Sequence, residues 1–374
     1  MKTLMTATVT PLASIFGSGF LVIVPILAGA VGPWSVAAMA AVCALAYAVG
    51  GIIRFNIRHA EPALAGRPRE ATLSFERASD LALVLAYVIS VCLYIHILAA
   101  FVLTGLGSDS LIMQDLLTTA VIAAITAVGI IRGLDALEFL EKWALFVTFA
   151  IIALLLLGFG AYDRSLWQSP AGITLPELPD HSAWTMLTLV AGTLIVVQGF
   201  ETPRYLGDRF DAATRVQASR LSQVISTAVY LVFIALALPI VVSLDGRYDD
   251  NSLIALAGTA AVWLPVPLII AAALSQFAAA VADTLAAAGN LAETTHQHLK
   301  VRHAYLLIGG GAIALTWTAD TLEILAFASR AFAFYYFLQC LVAFTIATSG
   351  MQKTGILAVA AAMAFITVFA VPAG

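Results

Sequence analysis

Phe16-Gly17-Ser18-Gly19-Phe20, followed by Pro25, interrupts an apolar run that otherwise extends from about Val9 to Val31. A run of about 20 apolar residues is what an α-helix needs to cross the hydrocarbon core of a bilayer. Inside a helix, glycine costs about 1 kcal/mol relative to alanine and proline about 3 kcal/mol. A break at this depth is tolerable only where the unwound backbone lines a cavity or is buried in protein. A second run, from about Met186 to Leu206, carries the same kind of break. There Gly192 is followed by Gln198-Gly199-Phe200-Glu201-Thr202-Pro203.

Working outward, nine further apolar runs set the frame. Besides the two interrupted runs, apolar stretches cover Trp34 to Ile53, Leu81 to Leu106, Leu116 to Ile131, Trp143 to Ala161 and Leu221 to Leu244. Four more cover Val266 to Leu291, Ala304 to Thr318, Leu322 to Ile346 and Ile356 to Val371. These eleven runs predict an all-α integral membrane protein of about eleven transmembrane helices. Composition agrees: of 374 residues, 61% are hydrophobic and 11% charged, against about a quarter charged in a soluble chain. Mean hydropathy is +0.98. So few charges cannot cover the surface of a water-soluble body this size, so lipid is its solvent. The first run is too long for a cleaved signal peptide and reads as a retained span.

Lys and Arg positions give direction. With the N-terminus cytoplasmic, fifteen basic residues fall in inside segments: Lys2, Arg54, Arg58, Arg67, Arg69, Arg77, Arg132, Lys142, Arg204, Arg209, Arg215, Arg220, Lys300, Arg302 and Lys353. Only Arg164 and Arg247 fall outside, and Arg330 lies within the tenth run. This bias predicts a multi-pass protein of a plasma membrane, bacterial inner membrane in type, with the C-terminus extracytoplasmic. The longest connections expected are 54–80, 162–184 and 207–220, the second irregular because of Pro170, Pro176 and Pro179.

The two breaks fall in the first members of two five-helix sets of opposite orientation. Paired interruptions at corresponding positions are the sequence pointer to an inverted-repeat transporter and to its binding site. The expected organisation is a first repeat over 1–161, an extracellular loop over 162–184, a second repeat over 185–347 and an additional helix over 348–374. Phe16, Gly17, Ser18, Gly19, Phe20, Gln198 and Gly199 are then the candidate substrate-binding residues. Packing glycines and an interhelical hydrogen bond from Gln198 are the plainer readings of the same residues.

These residues also resemble a family. Gly17-Ser18-Gly19-Phe20 with Pro25 and Gly32-Pro33 is similar to the first helix of the amino acid–polyamine–organocation (APC) superfamily. Gly199-Phe200-Glu201, followed by Asp208 and a basic run to Arg220, resembles its sixth helix, and Gly129 to Phe159 its fourth-to-fifth helix region. The resemblance implies the LeuT-type fold of five plus five helices, with one C-terminal helix added. It also implies substrate binding at the two breaks.

Ionisable groups inside spans are functional candidates by default. Asp283 lies mid-span in Ala280-Val281-Ala282-Asp283-Thr284. Positions 280, 283 and 284 share a helical face, and a carbonyl, a carboxylate and a hydroxyl are ligands for a hard cation. In LeuT-type carriers this spacing holds sodium between the first and eighth helices, which implies Ala13 and Phe16 as partners. Asp283 and Thr284 are therefore the candidate site for a coupling Na⁺, or Asp283 for H⁺; the alternative is a neutral carboxyl or a pair with Arg330. Glu201 is a candidate inner gate, or the partner of Arg204 or another cytoplasmic Arg. Arg330 could bind an anionic substrate group, gate the outside, or pair with Glu323. Tyr94 and His96 are weaker candidates for lining the site, with a satisfied interhelical histidine the plainer reading of His96. Lys142 opens its span too near the cytoplasmic end to replace a sodium, while Thr148 lies closer to the required depth. His296 and His298 read as interfacial.

The function expected is secondary active transport of a small solute, an amino acid or related compound, coupled to Na⁺ or H⁺. A channel or a transporter-like receptor on the same fold is the alternative. No cofactor, enzyme motif or nucleic-acid surface is expected. The partners are the solute and the bilayer, with the chain a monomer or homodimer. Cys43, Cys92 and Cys340 read as small buried hydrophobes.

Overall fold

A computed structural model describes residues 2–17, 19–108, 110–134, 139–170, 172–295 and 298–372. Every regular element among them is helical. The α-helices, in chain order, are α1 (Lys2–Gly17), α2 (Ile23–Val31), α3 (Ser35–Phe55), α4 (Glu61–Ala65), α5 (Glu70–Gly105), α6 (Leu111–Arg132) and α7 (Phe139–Gln168). They continue with α8 (Ala183–Ala191), α9 (Ala212–Val241), α10 (Ser252–Ala260), α11 (Pro265–Thr294), α12 (Val301–Thr316), α13 (Thr321–Ile346) and α14 (Gly350–Phe369).

Among the described residues, eight helical stretches are long and apolar enough to cross a membrane, and a bent pair makes a possible ninth. That pair joins α8 to Leu194–Leu206 with a bend of 43°. The first and ninth expected spans are shorter: α1 and α12 each have 16 residues. Gly32 (φ 53°) and Pro33 turn the chain between α2 and α3.

Burial separates inside from rim. In α5 and α13, 72% of the apolar window is buried, against 22% in α6 and α14. The first two therefore form the centre, with α11 packed on α5, and the latter two face lipid. Large apolar side chains on the rim, such as Phe146, Leu157, Leu306 and Leu307, are exposed. In water they would form aggregation-prone patches; in a bilayer they meet solvent of their own kind.

Two connections differ from expectation. Segment 54–80 is mostly helical, because α3 runs on through a π-helical turn (Asn56–Ala60) into α4, and α5 starts at Glu70. The polar first turns of α5 leave the apolar run yet keep helical hydrogen bonds. At the other end α7 continues to Gln168, so the irregular chain is confined to the proline-bearing stretch before α8. Side-chain caps start α8, α9 and α13: Ser182 accepts from the Thr185 N–H, Asp211 from Thr214, and Asp320 and Glu323 form a reciprocal box on α13.

Candidate functional site

The two breaks touch. A Cβ on Gly19 would lie 2.7 Å from Val196 Cγ2, and one on Gly199 would lie 2.7 Å from Ile15 N and Ser14 Cβ. Gly199 also has φ +125°, a conformation that L side chains rarely adopt. Glycine at these two points is what lets the unwound backbones meet.

Polar side chains hold the crossing together. Tyr230 of α9 places its hydroxyl 2.7 Å from the Val196 carbonyl and 3.1 Å from that of Ile15. One side chain thus spans both breaks, and Phe16 stacks on its ring at 5.6 Å. Ser329 of α13 donates to the Gly192 carbonyl (2.6 Å) and accepts from the Ile195 N–H (3.0 Å). Gln276 of α11 donates to the Gly17 carbonyl at 2.9 Å. These are groups that a continuous helix would satisfy itself and that lipid cannot.

Below the crossing lies a cavity of about 370 Å³. Its wall takes Ala13, Ser14 and Phe16 from α1, Tyr87 and Tyr94 from α5, Thr148 from α7, and Ser275 and Asp283 from α11. Thr202, Tyr205, Asp208 and Arg209 from the chain after the second break complete it. It reaches the surface at Asp208 and Arg209, both exposed, on the end of the bundle that carries the basic loops. Asp283 is 8% exposed and interacts with the Tyr94 side chain. A carboxyl group facing a hydroxyl-lined cavity is equipped to hold a cation or exchange a proton.

The expected residues divide around this cavity. Ala13, Phe16 and Asp283 line it, and so does Thr148. Gly17, Gly19, Phe20, Gln198 and Gly199 do not; they form the crossing behind it, where Phe20 packs on Phe233 at 4.3 Å. Gln198 is fully buried, and neither its Oε1 nor its Nε2 has a hydrogen-bond partner among the described residues. Ala280 and Thr284 also lie off the wall, and the Thr284 hydroxyl donates to the Ala280 carbonyl at 2.7 Å. Ser18 and His296 lie outside the described residues. Lys142 is exposed at the start of α7.

Arg330, Glu201 and His96 have particular surroundings in the fold. Arg330 does not face the breaks. Its guanidinium donates to the Thr367 (3.0 Å) and Val368 (2.6 Å) carbonyls at the end of α14, which lack intrahelical donors. It partners neither Glu323, which is engaged in the box with Asp320, nor Asp283. Glu201 is not the partner of Arg204. Its Oε2 accepts from the Gly199 N–H (2.9 Å) and the Tyr336 hydroxyl (2.8 Å), so the carboxyl group folds back onto its own break. His96 faces away from the central cavity.

Arg204 instead belongs to a network on the basic-loop end. It pairs with Glu76 of α5 at 2.6 Å and donates to Gln339 of α13. Gln339 in turn donates to Ser79 and accepts from Asn56. Arg215 of α9 pairs with Glu61 at 2.6 Å and donates to the Arg204 carbonyl at 3.0 Å. The network ties the segment Thr202–Leu206 to α4, α5, α9 and α13.

Sequence reasoning missed Tyr87, Tyr230, Ser329 and this network. Tyr87 was legible: it precedes Tyr94 by two helical turns and shares its face. Nothing in the sequence marks Tyr230 or Ser329, whose partners lie far away along the chain.

Touching helix breaks beside a cavity that holds a buried carboxyl group, in an apolar helical bundle, suit a membrane transporter. The sequence matches the APC superfamily transporter family over residues 1–373, and the chain belongs to that family. An uncharacterised protein of Aquifex aeolicus (strain VF5) is 38% identical over 350 residues, covering 92% of this chain and 84% of that one. The fold is shared with crystal structures of the Eremococcus coleocola manganese transporter. One mutant form is 11% identical with a TM-score of 0.61, over 98% of this chain and 86% of the other. Its complex with an aromatic bis-isothiourea compound is 12% identical with a TM-score of 0.57 over the same shares.

Proposed function

We propose that the chain is a secondary active transporter that moves a small solute by alternating access, coupled to Na⁺ or H⁺ at Asp283. The observation that carries this reading is the cavity that runs from the basic-loop surface to Asp283 beneath the crossed breaks. Closed at the crossing and open at Asp208 and Arg209, it describes one end state of such a cycle, facing the cytoplasm if the basic loops do.

The proposed topology has eleven crossings in two repeats, 1–161 and 185–347, with 348–374 added. Ile23–Ala65, at 43 residues, would be roughly 65 Å long as one helix at 1.5 Å per residue. That is about twice a hydrocarbon core, so the turn at Gly32 separates two crossings.

The solute is a small organic compound such as an amino acid. One structural neighbour is a manganese transporter, but among the described residues no three His, Cys, Asp or Glu side chains come together to hold a metal ion. A wall of one buried carboxyl group, hydroxyls and aromatic rings suits a molecule with both polar and apolar parts.

The test is counterflow in proteoliposomes with labelled amino acids and organic acids, under Na⁺ and pH gradients. Saturable counterflow is expected, with its ion dependence lost in Asp283→Asn. Full ion dependence in that variant would sink the coupling role, and ligand binding without flux would make the chain a receptor.

A further inference from the structure

We propose that a second cavity, at the end opposite the basic loops, binds a small organic ammonium ion. This cavity, about 410 Å³, lies among the ends of α5, α6, α12 and α13 and the chain before α10. It shares no lining residue with the central one. Five carboxyl groups line it: Asp115, Asp249, Asp250, Asp320 and Glu323; no Lys or Arg does.

An acidic patch alone would be a solvated surface. The second observation is His96. It is 2% exposed, it forms part of the cavity wall, and neither ring nitrogen has a hydrogen-bond partner among the described residues. Its Nε2 stands 3.8 Å from Asp115 Oδ1, beyond hydrogen-bond reach. A buried imidazole without a partner is costly, and a ligand N–H donated to it would remove that cost.

The surrounding contacts define the ligand. Gln114 Nε2 and Thr321 Oγ1 both point at Asp250 Oδ2, at 3.2 and 2.6 Å, which holds that carboxyl group in place. The Trp317 indole also lines the cavity and is held by donation to Thr119 Oγ1 at 3.0 Å. A metal ion would need three or more His, Asp or Glu donors within reach of one point, and among the described residues no such group exists. An ammonium group satisfies acceptors spread over several ångströms through separate N–H donors, and its charge is attracted to an aromatic face. The volume also exceeds what a single ion needs.

Helix α5 lies between the two cavities. Tyr94 faces the central one and His96 the outer one, so binding at each can be told apart by mutation. The experiment is isothermal titration of the purified full-length protein in detergent with 1,3-diaminopropane, tetramethylammonium and Mg²⁺. Diaminopropane is expected to bind saturably. Its affinity should fall about tenfold or more, equivalent to about 1.4 kcal/mol, in His96→Gln and in Asp115→Asn, and stay unchanged in Asp283→Asn. Asp115, at the cavity rim, keeps the test valid if the buried His96→Gln variant fails to fold. Absence of saturable binding overturns the proposal. So does a loss caused by Asp283→Asn alone, an equal affinity for tetramethylammonium, which has no N–H, or binding of Mg²⁺ in place of the diamine.

Discussion

Replacing Gly199 by alanine tests the contact between the two breaks. The added Cβ would stand 2.7 Å from Ile15 N and from the Cβ and Oγ of Ser14. Ile15 N is backbone and cannot rotate away. The residue would also keep a φ of +125°, which costs an L side chain about 1–3 kcal/mol. Overpacking adds about 1–3 kcal/mol, so the expected penalty is roughly 2–6 kcal/mol. At about 2 °C per kcal/mol for a chain of this length, the melting temperature should fall by roughly 4–12 °C. The control is Gly289→Ala on an exposed face of α11, where nothing lies within 4 Å of the new Cβ. There alanine should be neutral or stabilise by up to about 1 kcal/mol. The assay is thermal unfolding of both variants in detergent, followed by counterflow of the surviving protein. If Gly199→Ala melts with Gly289→Ala and transports normally, the breaks do not meet as described.

Three further outcomes follow from the same geometry. Glu76→Gln leaves the Arg204 guanidinium, which is 8% exposed, without its nearest carboxylate. It should cost about 3 kcal/mol, and a thermal-melt double-mutant cycle with Arg204→Met should show strong coupling. Arg330→Gln should lower the melting temperature by loosening α14, at about 1–2 kcal/mol, yet leave the counterflow KM within about twofold; a large KM change would return Arg330 to the substrate site. At Asp211, the Thr214 N–H and hydroxyl hold the carboxyl group below the usual carboxylate range. Its capping contribution is therefore present above the ordinary Asp pKa and lost as pH falls through the folded value. Hydrogen exchange at the start of α9 should be faster in Asp211→Ala than in wild type at neutral pH, and the difference should vanish in acid.

Much of the frame is legible in the chain itself. Lipid as solvent follows from the scarcity of charge, and the grouping of Lys and Arg sorts helix ends onto two sides. Gly17-Ser18-Gly19 and Gln198-Gly199 with Pro203 give the positions of the breaks, because glycine and proline in a span have a local cost that does not depend on the fold. Asp283 stands out for the same reason: a carboxyl group in an apolar run is expensive wherever the helix goes.

Partnerships were not legible. Periodicity says which residues share a face of a helix, but not what that face meets. Arg330 reads as a deep cation seeking an anion, yet it meets the orphan carbonyls of α14, acceptors that every helix end carries and no sequence displays. Glu201 reads as a partner for Arg204, yet it turns back to the Gly199 N–H, a donor that exists only once the helix has unwound. Tyr230 reaches Ile15 across 215 positions, and Ser329 reaches Ile195 across 134.

By itself, then, the sequence determined the solvent and the sites of helix failure, both of which are local costs summed along the chain. The tertiary structure alone decided that the two breaks cross, that Asp283 faces a cavity beneath them, and that Gln198 and Gly199 stand behind its wall. Those outcomes depend on which surfaces meet, and packing sets that only when all the helices are in place.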